Sequence, residues 1–121
     1  MPLLHTVNTY WNGALVNDDS RKDHRWEVRK PGETACCHDY AVTKLADLIA
    51  RGLLRGAMAL AWCEDSRTEA YHIVLLVKCA DGVYVLDSLY DERCLMSDCL
   101  YYDWRGQEAW GAPGKWEQIT P

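Results

Sequence analysis

Three residues of this sequence, Cys37, His72 and Asp87, have side chains of the types that together perform nucleophilic catalysis. A thiol nucleophile needs a base that takes its proton, and the base needs an acid that orients it. Cysteine, histidine and aspartate supply these roles, and here they follow one another in that order. The sequence therefore predicts a Cys-His-Asp catalytic triad, against the alternative that Cys37 is a buried structural cysteine.

Cys37 lies at the start of a predicted helix. This helix runs from about Cys36 to Arg51 and ends at Gly52, a residue typical of helix C-termini. Thr34 is the expected N-cap, with a slightly later start at Cys36 as the alternative. Residues at helical spacing form one face, which comprises Cys37, Ala41, Leu45 and Leu48. The positive end of the helix dipole would favour the thiolate form of a cysteine in this position.

The other two triad residues lie near the ends of predicted strands. His72 is near the start of one apolar run and Asp87 closes the next, where a rigid scaffold can present both side chains to a cleft. A short helix is predicted over residues 3–16 and a polar loop over 17–25. The predicted strands span residues 56–63, 70–78, 83–87, 100–104 and 115–119. One main helix packed on an antiparallel sheet is an α+β fold.

A hairpin turn at Asp81-Gly82 gives a geometric expectation for the pair. A two-residue turn there would pair Ala80 with Val83 and place His72 and Asp87 on the same face of the sheet. The stagger between the two residues would be four positions, too long for a hydrogen bond. A wider loop or a bulge is then needed to bring them into contact.

Composition limits the classes of partner. The 121 residues predict a single domain over residues 1–121, and the formal net charge of -5 argues against nucleic acid as a partner. No apolar run approaches the roughly 20 residues of a membrane span, and the N-terminus lacks the regions of a signal peptide. We therefore expect a cytoplasmic protein without a membrane partner.

The six cysteines are expected to be mostly reduced in that compartment. Cys63 and Cys79 fall in apolar runs and are expected to be small core residues. A zinc site built from Cys36, Cys37, His38 and a distant cysteine is the alternative to catalysis, but no metal or cofactor is the expectation. His38 is expected at the rim of the site, because neighbouring side chains diverge on a helix.

Three motifs resemble the bacterial transglutaminase-like cysteine proteinases, in the papain-like and transglutaminase superfamily. That family has Gly-Asp-Cys-Glu-Asp-Tyr-Ala, His-Met-Val-Leu and Leu-Asp-Asn. This chain has Ala-Cys-Cys-His-Asp-Tyr-Ala over residues 35–41, His-Ile-Val-Leu over 72–75 and Leu-Asp-Ser over 86–88. Val7-Asn8 and Trp26 with Pro31 resemble further upstream elements, so the likeness covers about residues 7–92.

The resemblance implies a papain-like or transglutaminase-like core, with Cys37 as nucleophile, His72 as base and Asp87 as orienting acid. Some members of the family bind calcium through acids that flank the cysteine. Cys36 and His38 replace two of those acids and Asp39 remains, so calcium binding is not expected here. The short length resembles a phage or mobile-element form of the family.

Our first hypothesis is a cysteine peptidase, or a related amide-bond hydrolase, that acts on a protein or peptide through a thioester intermediate. Transamidation or deamidation would use the same residues. The second hypothesis is a non-catalytic protein-interaction module on the same scaffold, and the third is a zinc-binding module. A thiol-reactive probe separates the first two.

Overall fold

The computed structural model describes residues 2–20, 25–111 and 114–118. Residues 21–24 of the predicted polar loop and Ile119 of the last predicted strand lie outside this range. The described chain forms two helices and eight strands, in the order α1 Pro2–Ala14, β1 Val16–Asn17, β2 Thr34–Ala35, α2 Cys37–Ala50, β3 Met58–Asp65, β4 Tyr71–Cys79, β5 Gly82–Leu86, β6 Cys94–Leu95, β7 Tyr102–Glu108 and β8 Trp116–Gln118.

The main sheet contains six strands in the order β6-β5-β4-β3-β7-β8, and each neighbouring pair is antiparallel. β1 and β2 form a separate parallel pair, which joins the end of α1 to the segment before α2. The predicted α+β fold, with a main helix packed on an antiparallel sheet, is confirmed.

Apolar side chains cover both faces of the sheet, as side-chain alternation along a strand allows. One face packs against α1 and α2 through a cluster of Leu4, Val7, Ala41, Leu48, Met58, Leu60, Leu75, Val77 and Leu86. The opposite face packs under the later segments through Ala61, Cys63, Val74, Leu76, Val85, Cys99 and Tyr102. Within the described residues, neither helix is long and apolar enough to cross a membrane.

At the start of α2 the expected N-cap, Thr34, is wrong, and the alternative start at Cys36 is correct. Thr34 belongs to β2, and Cys36 is the N-cap of the helix. The Asp39 carboxylate accepts a hydrogen bond from the Cys36 backbone N–H at 3.2 Å, which satisfies one of the groups that a helix start leaves unpaired. The helix ends as predicted, because Gly52 takes a φ of 100° just after it.

The β4–β5 hairpin turns one residue earlier than the sequence predicts. Cys79 pairs with Gly82, so the turn residues are Ala80 and Asp81. Gly82 starts β5 with a φ of 142°, and a Cβ at this position would lie 2.8 Å from a methyl group of Leu95 in β6. The positive φ favours glycine at this first position of β5, one residue after the turn.

This register corrects the predicted stagger of the His72–Asp87 pair. Continuing the observed pairing places Asp87 opposite Val74 instead of Leu76. The two residues remain on one face, as predicted, and now stand in a diagonal relation that side chains can span. No wider loop or bulge is needed.

The cysteines divide into two groups. Cys94 and Cys99 are paired as a disulfide, and the other four cysteines are outside any disulfide. Of these four, Cys63 is fully buried in the core and Cys79 is half-buried.

Candidate active site

His72 and Asp87 form a buried hydrogen-bonded pair. His72 is the second residue of β4, and Asp87 directly follows β5. Nε2 of His72 lies 2.7 Å from Oδ1 of Asp87, and both side chains are almost inaccessible to solvent. Nδ1 is therefore the ring nitrogen that remains for a hydrogen bond to another group.

Two further donors fix the Asp87 carboxylate. The Leu89 backbone N–H donates to Oδ1 at 2.9 Å, and the buried Tyr102 hydroxyl of β7 donates to Oδ2. Burial alone would raise the pKa of Asp87, but the bonds from His72, Tyr102 and Leu89 hold it below its usual value. The carboxylate is therefore ionised at neutral pH and oriented towards His72.

Cys37 completes the arrangement from the start of α2, where it is the first helical residue and 8% exposed. Burial lowers the pKa of His72, but hydrogen bonds to Asp87 and Cys37, with their charges, outweigh that effect and raise it to about 9. The structure thus brings together the three residues predicted from the sequence. An imidazolium held between a carboxylate and a thiol favours the thiolate.

A cleft of about 260 Å³ opens over this group. Cys37 and His72 lie in its wall, while Asp87 lies behind them. The rest of the lining comes from separate parts of the chain and includes Asn17, Asp65, Thr68, Tyr71, Ser88 and Leu89. Solvent and a ligand can therefore reach the thiol–imidazole pair from one side.

The neighbouring residues of the motif form a second, separate group. Sγ of Cys36 lies 2.9 Å from Nε2 of His38, and Nδ1 of His38 lies 3.2 Å from Oδ1 of Asp39. The expectation that His38 lies at the rim is wrong: it is 3% exposed, because the ring of Trp26 stacks against it at 5.3 Å.

Cys36 is unsuited to act as the nucleophile, although it precedes Cys37 directly. Its side chain is fully buried, and burial raises the pKa of its thiol to about 11. The alternative zinc set of Cys36, Cys37, His38 and a distant cysteine is not assembled, since Cys37 contacts His72 instead.

A buried polar network positions the loop that carries Asp87. This network was not predicted from the sequence. Lys44 of α2 is fully buried and donates to Oδ1 of Asn8 at 2.6 Å and of Asn12 at 2.7 Å, both in α1. Asn8 donates in turn to the carbonyl oxygens of Tyr90 and Asp91, and Asn12 to that of Asp87. The Val7-Asn8 pair, which resembles a family motif, could have indicated this network. Lys44 could not, because a lysine in an amphipathic helix normally faces solvent.

Solved structures with a similar fold include those of the Legionella pneumophila protein LapG. The calcium-bound form superposes with a TM-score of 0.75 at 20% identity, over 86% of this chain and 62% of that one. The EGTA-treated form gives 0.73 at 20% identity, over 86% and 60%. This chain thus spans less than two thirds of LapG. At such identity the likeness shows a shared fold, and no curated protein sequence matches.

The family is shown by the sequence itself. The family model of the bacterial transglutaminase-like cysteine proteinases (BTLCP) matches residues 1–121, so the chain belongs to this family. The resemblance stated on the three motifs is confirmed.

The calcium bound in one LapG structure raises the question whether the residues here fit that ion. Calcium takes six to eight oxygen ligands. Cys36 and His38 flank Cys37 with sulfur and nitrogen atoms, and Asp39 adds a carboxylate that already accepts bonds from the Cys36 and Glu27 backbone N–H groups. This donor set does not fit calcium.

Calcium should therefore neither stabilise nor activate this protein. Binding at one site would stabilise the fold by about 2.7 kcal/mol at a hundredfold excess over Kd, which would raise Tm by several degrees. Thermal melting with calcium and with EGTA should instead give superimposable curves. A clear rise in Tm that EGTA reverses would show that other oxygen atoms complete a calcium site.

Proposed function

We infer that this chain is a cysteine peptidase, or a related amide-bond hydrolase, that acts on a protein or peptide substrate. Family membership supports the class of enzyme. The observation that carries the assignment of residues is the 2.7 Å contact between His72 and Asp87 beside Cys37, in the wall of an open cleft. We propose that residues 1–121 act as one such domain.

In the proposed mechanism Cys37 attacks the carbonyl carbon of the substrate as a thiolate. The positive end of α2, whose first helical residue is Cys37, stabilises the negative charge on the thiolate and on the tetrahedral intermediate. Protonated His72 then gives its proton to the leaving amine, which leaves a thioester on Cys37. Neutral His72 next takes a proton from water, and the resulting attack hydrolyses the thioester.

Asp87 keeps the imidazole in the orientation and charge state that these steps require. It accepts from Nε2, so Nδ1 faces the sulfur and carries the transferred proton. An amine in place of water at the last step would give transamidation with the same residues.

The cleft of about 260 Å³ gives a peptide segment access to Cys37 and His72. A peptide that crosses the cleft would place one carbonyl group against Cys37 while its ends remain outside.

Limited alkylation tests the assignment of the nucleophile. Cys37 should react with substoichiometric iodoacetamide at neutral pH well before Cys36, Cys63 and Cys79, because it alone among these described thiols contacts an imidazolium in a cleft. Peptide mapping by mass spectrometry identifies the modified residue. Preferential labelling of another thiol would remove Cys37 from this role, and no reaction at all would favour the non-catalytic interaction module.

A further inference from the structure

The buried group of Cys36, His38 and Asp39 offers donors that the proposed hydrolysis does not use. One ligand atom from each residue, namely sulfur, imidazole nitrogen and carboxylate oxygen, lies within 4.8 Å of the others. The three side chains are 0–3% exposed. Sulfur, nitrogen and oxygen donors therefore lie together away from water.

The chemistry of the donors selects the kind of cation. Thiolate and imidazole are ligands of zinc and similar borderline transition metals, and a single carboxylate is a common third ligand. Calcium and magnesium prefer sites built from oxygen atoms alone. The family motif has acidic residues at the positions of Cys36 and His38, whereas Asp39 is the same in both. Softer sulfur and nitrogen donors thus replace two oxygen donors.

The spacing of the donor atoms is close to that of a tetrahedral site. Zinc bonds of about 2.0–2.3 Å at tetrahedral angles separate ligand atoms by roughly 3.3–3.6 Å. Sγ of Cys36 lies 2.9 Å from Nε2 of His38 and 3.7 Å from Oδ2 of Asp39. All three ligand atoms lie within 4.8 Å of one another, which leaves room for one ion between them once the side chains adjust.

The surroundings hold the ligands in place. Nδ1 of His38 faces Oδ1 of Asp39, which leaves Nε2 and Oδ2 as the atoms that face the Cys36 sulfur. The Glu27 backbone N–H donates to the same carboxylate at 2.9 Å, and Trp26 covers the imidazole. The segment before α2 and the first turn of α2 therefore form one preorganised pocket.

We propose that Cys36, His38 and Asp39 bind one divalent transition metal of the zinc class, at a site separate from Cys37, His72 and Asp87. The thiol proton of Cys36 is released to solvent when the metal binds, and water occupies the remaining coordination position. The ion holds the first turn of α2, where Asp39 also accepts the hydrogen bond from the Glu27 backbone, and so stabilises the fold. The proposal does not depend on the proposed function.

Cobalt(II) tests the proposal because it substitutes for zinc and a thiolate–cobalt bond gives a near-ultraviolet charge-transfer band. The full chain, freed of metal and kept reduced, is titrated with cobalt(II) and then with zinc. We expect one equivalent of cobalt to give the band and zinc to abolish it. Zinc should also raise Tm where calcium does not.

Four variants locate the ion. Cys36→Ser and His38→Gln should weaken cobalt binding by more than about a hundredfold, since loss of even an outer-shell partner costs ten- to a hundredfold. Cys37→Ser and Cys79→Ser, the matched controls for the catalytic pair and for a distant thiol, should bind as the wild type does. The wild-type titration is informative even if a variant does not fold.

Three results would overturn the proposal. The first is a wild-type titration without a thiolate–cobalt band. The second is a band that persists in Cys36→Ser and disappears in Cys37→Ser, which would place the ion on the catalytic pair. The third is an equal rise in Tm with calcium and with zinc.

Discussion

Replacing Cys37 by alanine should reduce amide-bond hydrolysis by about 10⁴-fold or more, because the variant lacks the atom that forms the thioester. The measurement is turnover of an internally quenched peptide library, with covalent labelling by a peptidyl electrophile as a second readout that needs no known cleavage site. Both signals should disappear together in Cys37→Ala.

Cys79→Ser is the matched control for this experiment. Cys79 is also a free cysteine, but it ends β4 at the opposite end of the strand from His72. Its replacement should leave turnover and labelling close to those of the wild type. Equal loss in both variants, or turnover in Cys37→Ala above about 1% of the wild-type rate, would contradict the role of Cys37.

The common face of His72 and Asp87 could be predicted from the sequence because it depends only on alternation along two strands. Their contact could not, because register depends on where the turn begins. The Asp81-Gly82 pair indicated a turn, but in the folded chain the turn ends before Gly82, which opens β5 with a φ of 142°. Alternation along the strands therefore predicted the correct face, whereas the observed register set the distance between the two side chains.

Burial of polar side chains was the part of the site that the sequence did not reveal. Helical periodicity describes which residues share a face, but it does not show that Trp26 covers His38 from outside the helix. Lys44 is buried as well, although a lysine in an amphipathic helix usually faces solvent, and it donates to two asparagines of α1. Tyr102, which supports Asp87 from β7, lies 15 residues away in sequence and belongs to no motif.

These missed contacts all position residues that the motifs did identify. Asn12 reaches the Asp87 carbonyl, and Tyr102 reaches its carboxylate. Reactive side chains can therefore be proposed from type and order, since few residue types do this chemistry. The residues that orient them are ordinary polar residues from distant segments, and only the folded chain shows which of them meet.

Replacement of Asp87 separates its orienting role from its charge. Asp87→Ala should lower the rate of hydrolysis by about 10²–10⁴-fold, because His72 loses both its hydrogen-bond acceptor and the charge that stabilises its protonated form. Asp87→Asn should lower the rate at the optimum far less. The amide oxygen can still accept from His72 and Leu89, which share Oδ1, while the amide nitrogen can donate to the Tyr102 oxygen.

The pH profile is the result that distinguishes these two roles. The pKa of His72 is raised to about 9, so protonated His72 persists through neutral pH and is lost as the pH rises through 9. Asp87→Asn removes a charge that contributes to this rise, so the alkaline limb of kcat/KM should move to lower pH, towards the ordinary value near 6.5. Rates measured from pH 5 to 10 on wild type and Asp87→Asn, with circular dichroism at each pH, test this expectation. An unchanged alkaline limb in Asp87→Asn would show that His72 is not the group that titrates, and the proposed general acid would then have to be another residue.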